Sequence, residues 1–231
     1  MEIEMKAPLN ADQLEALLTK EKIKNYTFSS QRELLIKSDI YYSFGGERLK
    51  KPKNIVRIRE ESTFDSIKID QAKAFALEVN GRNITTDVIN LFTFACKYFF
   101  DFRVNPLTSN SNSFLTIKRK HTDEFGVETN DEKESKVSDK ESLFALLGIV
   151  NFKPYFEKIK RSISFYAGEM HLEIVSVNAS DVYLEIEICI PEKDTSSATV
   201  EAAQKTIKDF FKDALGITTF DSRSWAEISN T

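Results

Sequence analysis

The sequence predicts an α+β fold dominated by an antiparallel sheet that closes into an eight-stranded β-barrel, with helices outside. About eight segments alternate polar and apolar residues with the period of two that is typical of strands. Fewer segments have helical spacing, and no linker rich in Pro, Gly or Ser divides the chain. Several strands carry charges on one face and apolar residues on the other, which indicates a polar lumen and a covered outer face.

The composition is that of an ordinary globular protein. The 231 residues are 41% hydrophobic and 29% charged, and the 18 Phe predict a large aromatic core. The formal net charge of -4 argues against nucleic-acid binding by bulk charge. Cys96 and Cys189 are far apart, which favours neither a disulfide nor a zinc site. No signal peptide or membrane span is recognised, so we expect no membrane partner and a cytoplasmic location.

The first six residues, MEIEMK, set the strand pattern. Glu2, Glu4 and Lys6 fall on one face of a strand, and Ile3 and Met5 fall on the other. The same alternation recurs along the chain. The predicted strands cover residues 1–6, 26–37, 38–43, 55–60, 114–120, 127–137, 155–165, 169–177 and 181–190.

The predicted helices are recognised by apolar spacing and by capping residues. Asn10 precedes the first, Thr85 or Thr86 the second and a Ser138–Glu141 capping box the third, which Gly148 ends. Gly216 follows the last. These helices cover about residues 11–23, 85–103, 138–148 and 199–215.

Residues 62–113 interrupt the strand rhythm. They contain the second predicted helix and a Ser/Asn run over 108–113, which we interpret as a loop. We therefore expect a single domain over residues 1–231, with a partly helical insertion at about 62–113 packed on the β scaffold. A lid, a dimer surface, a recognition element and a packing decoration are open roles for the insertion.

The charged strand faces form two sets that suit a metal–phosphate site. One E-x-E or R-x-R pair is usually a solvated strand face, but here such pairs recur on separate strands. Carboxylates suit Mg²⁺ or Mn²⁺, whereas Arg and Lys suit polyphosphate. The acidic set is Glu2, Glu4, Glu132, Glu134, Glu185 and Glu187. The basic set is Lys6, Arg57, Arg59, Lys118, Lys120, Lys158 and Lys160.

These residues resemble the ordered motifs of the CYTH, or triphosphate tunnel metalloenzyme, superfamily. Its N-terminal E-x-E-x-K signature is similar to EIEMK here, and the resemblance covers nearly the whole chain except about 62–113. The departures from the family pattern are Lys160, where Arg is usual, Asn130, where Arg is frequent, Glu173, near the position of a usual Asp, and Ser180-Asp181, where L-G precedes the E-I-E strand. The other matching segments are DIYY at 39–42, VRIR at 56–59, LTIK at 115–118, EKE at 132–134, KIK at 158–160, EIE at 185–187 and Ser224-Trp225.

The resemblance implies an eight-stranded antiparallel tunnel that binds a triphosphate inside. It implies that all six carboxylates of the acidic set bind Mg²⁺ or Mn²⁺ and that the basic set binds phosphate oxygens. Glu2, Glu4 and Lys6 take the catalytic role by the same resemblance. Lys120 is the weaker match in the basic set, and Arg161 would replace Lys160 if its strand contained a bulge.

A metal-dependent triphosphatase is the function that the resemblance favours, because cyclases of this superfamily often lack one of the carboxylates at Glu185 and Glu187. Inorganic triphosphate, a nucleoside or thiamine triphosphate and an RNA 5′-triphosphate end are open as substrates. A class IV adenylyl cyclase making cyclic AMP and pyrophosphate is the alternative, and a non-catalytic triphosphate-binding module is the second. A homodimer is also open. His121 and His171 are expected in surface or loop positions.

Overall fold

Eight antiparallel strands close into a barrel in the computed structural model of the chain. It describes residues 1–47, 54–63, 67–68, 90, 92–93, 95, 110–122, 128–178 and 181–228. The strands are β1 (Glu2–Pro8), β2 (Lys22–Ile23), β3 (Tyr26–Thr27), β4 (Gln31–Phe44), β5 (Asn54–Thr63), β6 (Ile67–Lys68), β7 (Asn110–Thr122), β8 (Glu128–Val137), β9 (Phe152–Ala167), β10 (Met170–Val177) and β11 (Tyr183–Cys189). The order around the barrel is β5-β7-β8-β1-β11-β10-β9-β4, and pairing of β4 with β5 completes the ring. The predicted fold class is therefore confirmed.

The three short strands lie outside the ring. β2 and β3 pair with each other, and β6 pairs with the start of β4. The helices with described bounds are α1 (Ala11–Thr19), α2 (Lys140–Ile149), α3 (Ser197–Leu215) and α4 (Trp225–Ile228), and a 3-10 turn covers Glu192–Asp194. None of the helices in the described ranges has the length and apolar character needed to cross a membrane.

The hydrophobic core lies on the outer side of the barrel, beneath α1 and α3. Ile3 and Met5 on the outer face of β1 belong to the same buried cluster as Phe210 and Phe211 of α3. Alternation along β1 therefore directs its apolar side chains to the helices and its charged side chains to the lumen. The outer faces of β9, β10 and β11 complete this core.

The helix boundaries follow from their caps and from neighbouring strand pairing. Asn10 and Gln13 form the capping box of α1, but this helix ends at Thr19 rather than near residue 23. Lys22–Ile23 instead form a strand, because their backbone pairs with Tyr26–Thr27. The prediction that Gly148 ends α2 is also wrong, since the helix continues to Ile149.

Backbone pairing also corrects two strand predictions. The two strands predicted over 26–37 and 38–43 are a single strand, β4, which begins at Gln31 and pairs with β5 and β9 along most of its length. The Ser/Asn loop predicted over 108–113 is a strand from residue 110 onward, where Ser111 pairs with Ser62. Backbone hydrogen bonds to β5 outweigh the low strand propensity of Ser and Asn here.

The predicted insertion at 62–113 lies largely outside the described residues. β5 and β7 extend into it from either side, as far as Thr63 and from Asn110. Within the predicted helix 85–103, the described residues 90, 92, 93 and 95 are helical. Phe92 and Ala95 are buried in the core beneath the helices, so this part of the segment packs on the barrel.

We expect Ile207→Ala to lower the free energy of unfolding by about 2–5 kcal/mol, the usual cost of emptying a buried isoleucine site. Ile207 is 0% exposed within α3, whereas Ile149 at the end of α2 is 80% exposed. The matched change Ile149→Ala should stay within about 0.5 kcal/mol of the parent. Urea unfolding of both variants measures this difference, and equal effects would contradict the assignment of the core to the α3 side.

Candidate functional site

The charged faces of the barrel strands line a polar lumen. Cross-strand partners place Glu4 opposite Glu187 and Lys6 opposite Glu185 on β1 and β11. The register of the remaining strands brings the other predicted acidic and basic positions to the same inner surface. This arrangement agrees with the predicted polar lumen. On each strand, the charged side chains that face inward alternate with apolar side chains that face outward.

A buried carboxylate gathers three cations on one side of the lumen. Asp39 on β4 is 0% exposed. It accepts hydrogen bonds from Arg59 at 2.8 and 3.1 Å and lies 3.0 Å from Lys158 Nζ and 3.7 Å from Arg57 Nη1. Burial alone would raise the pKa of Asp39, but the three cations outweigh it and hold that pKa well below its usual range. We call Arg57, Arg59 and Lys158 the cationic wall.

Carboxylates predominate on another side of the lumen. Lys118 Nζ lies 3.7 Å from Glu2, 3.7 Å from Glu4 and 3.4 Å from Glu132. Burial raises the pKa of Glu2 to about 7; Lys118 opposes this rise, and the charges of Glu187, Glu132 and Glu4 add to it. We call Glu2, Glu4 and Glu187 the acidic wall. Its concentrated negative charge and hard oxygen donors fit a divalent cation such as Mg²⁺ or Mn²⁺.

The two walls lie opposite each other. In a closed ring of eight strands, each strand faces the strand four places away. The ring order therefore sets β8, β1 and β11, which carry all six predicted carboxylates, against β9, β4 and β5. Of these, β5 and β9 carry the cationic wall, and β4 carries Asp39. A ligand that combines negative charge with bound cations would satisfy both walls at once.

Two further predicted carboxylates connect different parts of the lumen. Glu132 accepts a hydrogen bond from Arg57 at 2.7 Å and pairs with Lys118. Glu185 accepts a hydrogen bond from the Trp225 indole at 2.5 Å and a second from Lys160. Glu132 and Glu185 each contact a protein donor at both carboxylate oxygens. Glu187 differs from them, because its Oε1 accepts a hydrogen bond from the Cys189 thiol.

Glu134 lies at the edge of the site. It is exposed and accepts a hydrogen bond from the Thr116 hydroxyl at 2.9 Å. Its position on β8 keeps it in the inward-facing row with Glu132. Its role as a metal ligand stays a prediction.

Lys6 is a buried cation within the lumen. It is 2% exposed, pairs with Glu128 at 3.4 Å and lies 5.9 Å from the centre of the Trp225 ring. Burial would lower the pKa of Lys6, but Glu128, Glu4 and Glu185 outweigh it and raise that pKa. Lys6 is therefore charged at neutral pH, as its predicted phosphate-binding and catalytic roles require.

The strand register shows that Lys160, and not Arg161, faces the lumen. Lys160 is buried and bonds to both Glu173 and Glu185, whereas Arg161 is exposed. The irregularity in the β4–β9 pairing occurs between Tyr41 and Tyr42, beyond this position, so it does not exchange the two residues. The Lys120 prediction falls on β7, and its side chain lies outside the described residues.

Sequence reasoning did not assign several charged residues to the lumen. Lys37 and Glu173 form an ion pair at 2.7 Å, and Glu128 pairs with Lys6. Asp39 belongs to a recognised motif but has no role assigned by it. Alternation is the available signal, because Lys37 and Asp39 stand two apart on β4 and share its inner face.

Of the surface or loop positions expected for His171, the structure excludes the loop. His171 lies within strand β10 and is half-buried, and its cross-strand partner is Glu187. Its Nε2 atom is 2.6 Å from the Ser164 hydroxyl. Strand pairing on both sides of β10 holds it at the inner face, so it is not a loop residue. His121 lies in β7, not in a loop, and its side chain falls outside the described residues.

The sequence profile of the CYTH domain matches residues 1–213. The chain belongs to the CYTH family. The match covers β1 through most of α3 and therefore every predicted metal-binding and phosphate-binding residue. CYTH proteins are largely metalloenzymes that act on triphosphates, so this chain is a triphosphate tunnel protein. No curated protein matches it significantly.

Solved structures of distant proteins share the fold of this CYTH protein. The PH1819 protein of Pyrococcus horikoshii OT3 has a TM-score of 0.61 and 21% identity, covering 98% of this chain and 97% of its own. The PH1012 protein of the same organism has a TM-score of 0.58 and 18% identity, covering 99% of each chain. A Vibrio parahaemolyticus protein provisionally named an adenylate cyclase has a TM-score of 0.59 and 12% identity, covering 100% and 98%. Similarity at these identities establishes the fold alone.

Proposed function

We propose that this protein is a divalent-metal-dependent triphosphatase that hydrolyses its substrate inside the tunnel. The opposition of the acidic wall and the cationic wall is the observation that carries this proposal. A metal–triphosphate complex has cations and phosphate oxygens on one molecule, so it matches both walls, whereas a free anion or a free metal matches only one.

The acidic wall would hold the metal. Glu2, Glu4 and Glu187 supply oxygen donors close to one another. Burial, together with the charges of Glu187, Glu132 and Glu4, raises the pKa of Glu2 even though Lys118 opposes the rise. The bound metal would supply neutralisation of phosphate charge and activation of a water molecule. Glu132 and Glu185 are predicted ligands too, but to bind the metal they would first have to break their contacts with Arg57 and Lys160.

The cationic wall would bind and orient the phosphates. Arg57, Arg59 and Lys158 surround Asp39, and Arg57 also pairs with Glu132, so three cations meet two carboxylates among the ion pairs described at this point of the lumen. Arg59 is fixed in orientation by its two hydrogen bonds to Asp39, so it needs little reordering when an anion binds. Fixed cations of this kind stabilise phosphoryl transfer mainly by positioning and by charge neutralisation.

Segments that are far apart in the sequence contribute to the same lumen, which supports our proposal that residues 1–231 form one tunnel domain with the insertion at about 62–113. β1 supplies Glu2 and Glu4 at the N-terminal end. Near the C-terminal end, Trp225 in α4 donates a hydrogen bond to Glu185, and Ile228 is buried against Val175 and Tyr183. β1 and α4, which are far apart in the sequence, therefore both contribute to the lumen.

Product analysis tests the proposed reaction. Purified protein would be incubated with inorganic triphosphate or ATP, each with Mg²⁺ and with Mn²⁺, and the products separated by ion exchange. We expect metal-dependent release of orthophosphate. Cyclic AMP with pyrophosphate would instead establish the cyclase alternative, and tight binding of triphosphate without any product would establish the binding module.

A further inference from the structure

One group of metal-ligand atoms on the inner strand faces includes the sulfur atom of an exposed cysteine, Cys189. Within the described part of the chain, carboxylate oxygens of Glu2 and Glu187 and the Sγ atom of Cys189 all lie within 4.8 Å of one another. Cys189 stands two residues after Glu187 on β11 and thus shares its inward-facing row, and its Cα pairs with that of Glu2. The Cys189 thiol donates to Glu187 Oε1 at 3.0 Å.

A buried amide lies beside Glu2, one member of this group. Asn130 is 0% exposed, and neither its Oδ1 nor its Nδ2 atom has a hydrogen-bond partner among the described residues. Its Cα pairs with that of Glu2 across β8 and β1, so the two side chains share the inner face. Buried polar groups normally have a hydrogen-bond partner. The amide oxygen of Asn130 is therefore a further potential metal ligand at this position.

The donor types select a particular class of ion. Mg²⁺ is bound by oxygen donors and does not favour a thiolate, whereas mixed thiolate and carboxylate sets suit borderline ions such as Zn²⁺. A tetrahedral ion with Zn–S and Zn–O bonds of about 2.3 and 2.1 Å has ligand atoms about 3.5 Å apart. The ligand atoms of Glu2, Glu187 and Cys189 lie within 4.8 Å of one another, so small side-chain movements would bring them to that spacing.

We propose that Glu2, Glu187 and Cys189, with Asn130 beside Glu2, form a binding site for a zinc-class divalent ion. The spacing of the two cysteines in the sequence did not indicate zinc, because the other ligands are carboxylates on separate positions of β1 and β11. The barrel register, rather than a cysteine motif, brings these donors together.

The zinc-class site shares Glu2 and Glu187 with the proposed catalytic metal site, and its effect on catalysis rests on the proposed function. An ion held by Cys189 occupies carboxylates that Mg²⁺ or Mn²⁺ would otherwise use. The thiol therefore determines which metals compete for the acidic wall. Binding itself is independent of turnover and is measured separately.

Cobalt titration of the full-length protein tests the site directly. Co²⁺ bound to a thiolate produces a sulfur-to-metal charge-transfer band. We expect the band to saturate at a single Co²⁺ per chain in the parent protein and to disappear when Zn²⁺ displaces the cobalt. Cys189→Ser should lose the band, whereas the matched control Cys96→Ser should retain it.

Calorimetric titration with Zn²⁺ provides a second measurement. We expect Cys189→Ser and Asn130→Ala each to weaken Zn²⁺ binding by about tenfold or more, the lower range for loss of a metal-supporting group. Circular dichroism would verify that both variants are folded. Absence of the cobalt band in the parent protein, or an unchanged band in Cys189→Ser, would overturn the zinc-class site.

Phosphate release by the parent protein with Mg²⁺, measured in parallel, separates the two proposals. Release without a cobalt–sulfur band overturns the zinc-class site and leaves the triphosphatase standing. A band lost in Cys189→Ser, without phosphate release from any triphosphate, retains the metal site and overturns the triphosphatase.

Discussion

Replacing Glu187 with Gln is expected to abolish most metal-dependent phosphate release. Glu187 stands on the acidic wall opposite Glu4, and its change to Gln removes a negative charge without changing the size of the side chain. Metal-ion catalysis contributes several kcal/mol to phosphoryl transfer. At 1.36 kcal/mol for each factor of ten, we expect kcat/KM to fall by about 10²–10³-fold.

The control for this variant is Glu141→Gln, on the exposed face of α2. It makes the same chemical change far from the lumen and should leave kcat/KM within about twofold of the parent. Glu187 is a cleaner position than Glu185, since Glu185 also holds Lys160 and Trp225 in place. Equal activity in Glu187→Gln and Glu141→Gln would remove Glu187 from the catalytic metal site.

Asp39→Asn is expected to lower the free energy of unfolding by about 3–5 kcal/mol, the usual cost of removing one partner from a buried ionic cluster. Asp39 is fully buried between Arg57, Arg59 and Lys158. Removing its charge leaves three cations close together in the lumen without that carboxylate. Chemical denaturation of the parent and variant measures the difference.

Asp209→Asn is the matched control, because Asp209 also forms an ion pair but on the surface of α3, where its side chain is 43% exposed. Its loss should cost about 0.3–0.5 kcal/mol, as for other helix-surface pairs. Tripolyphosphate should raise the melting temperature of both variants, since it binds the folded state through the cationic wall. If Asp39→Asn is no less stable than Asp209→Asn, Asp39 does not organise the cationic wall.

Strand alternation predicts the barrel and most of the lumen residues from the sequence. A period of two fixes which side chains share a face, so it groups Glu2 with Glu4, and Arg57 with Arg59, whatever the neighbouring strands are. Alternation does not determine which strands are neighbours. The central position of Asp39 among three cations depends on the pairing of β4 with both β5 and β9.

The errors in the prediction have similar causes. Ser111 lies in a strand because the β5 backbone is available to pair with it, although its side chain favours a loop. His171 is expected in a surface or loop position because the proposed chemistry does not need it, yet β10 pairs on both sides and places it next to Glu187. Cys189 carries no sequence signal of metal binding, and only the register with β1 brings it to Glu2.

A crystal structure of the protein with Mn²⁺ and the slowly hydrolysed analogue imidotriphosphate tests the central claim most directly. The anomalous scattering of Mn²⁺ locates the metal independently of the phosphates. We expect the metal on oxygens of Glu2, Glu4 or Glu187 and the analogue's phosphates against Arg57, Arg59 and Lys158. Binding of the analogue outside the tunnel, or a metal bound away from all three carboxylates, would contradict the opposition of the two walls as the basis of function.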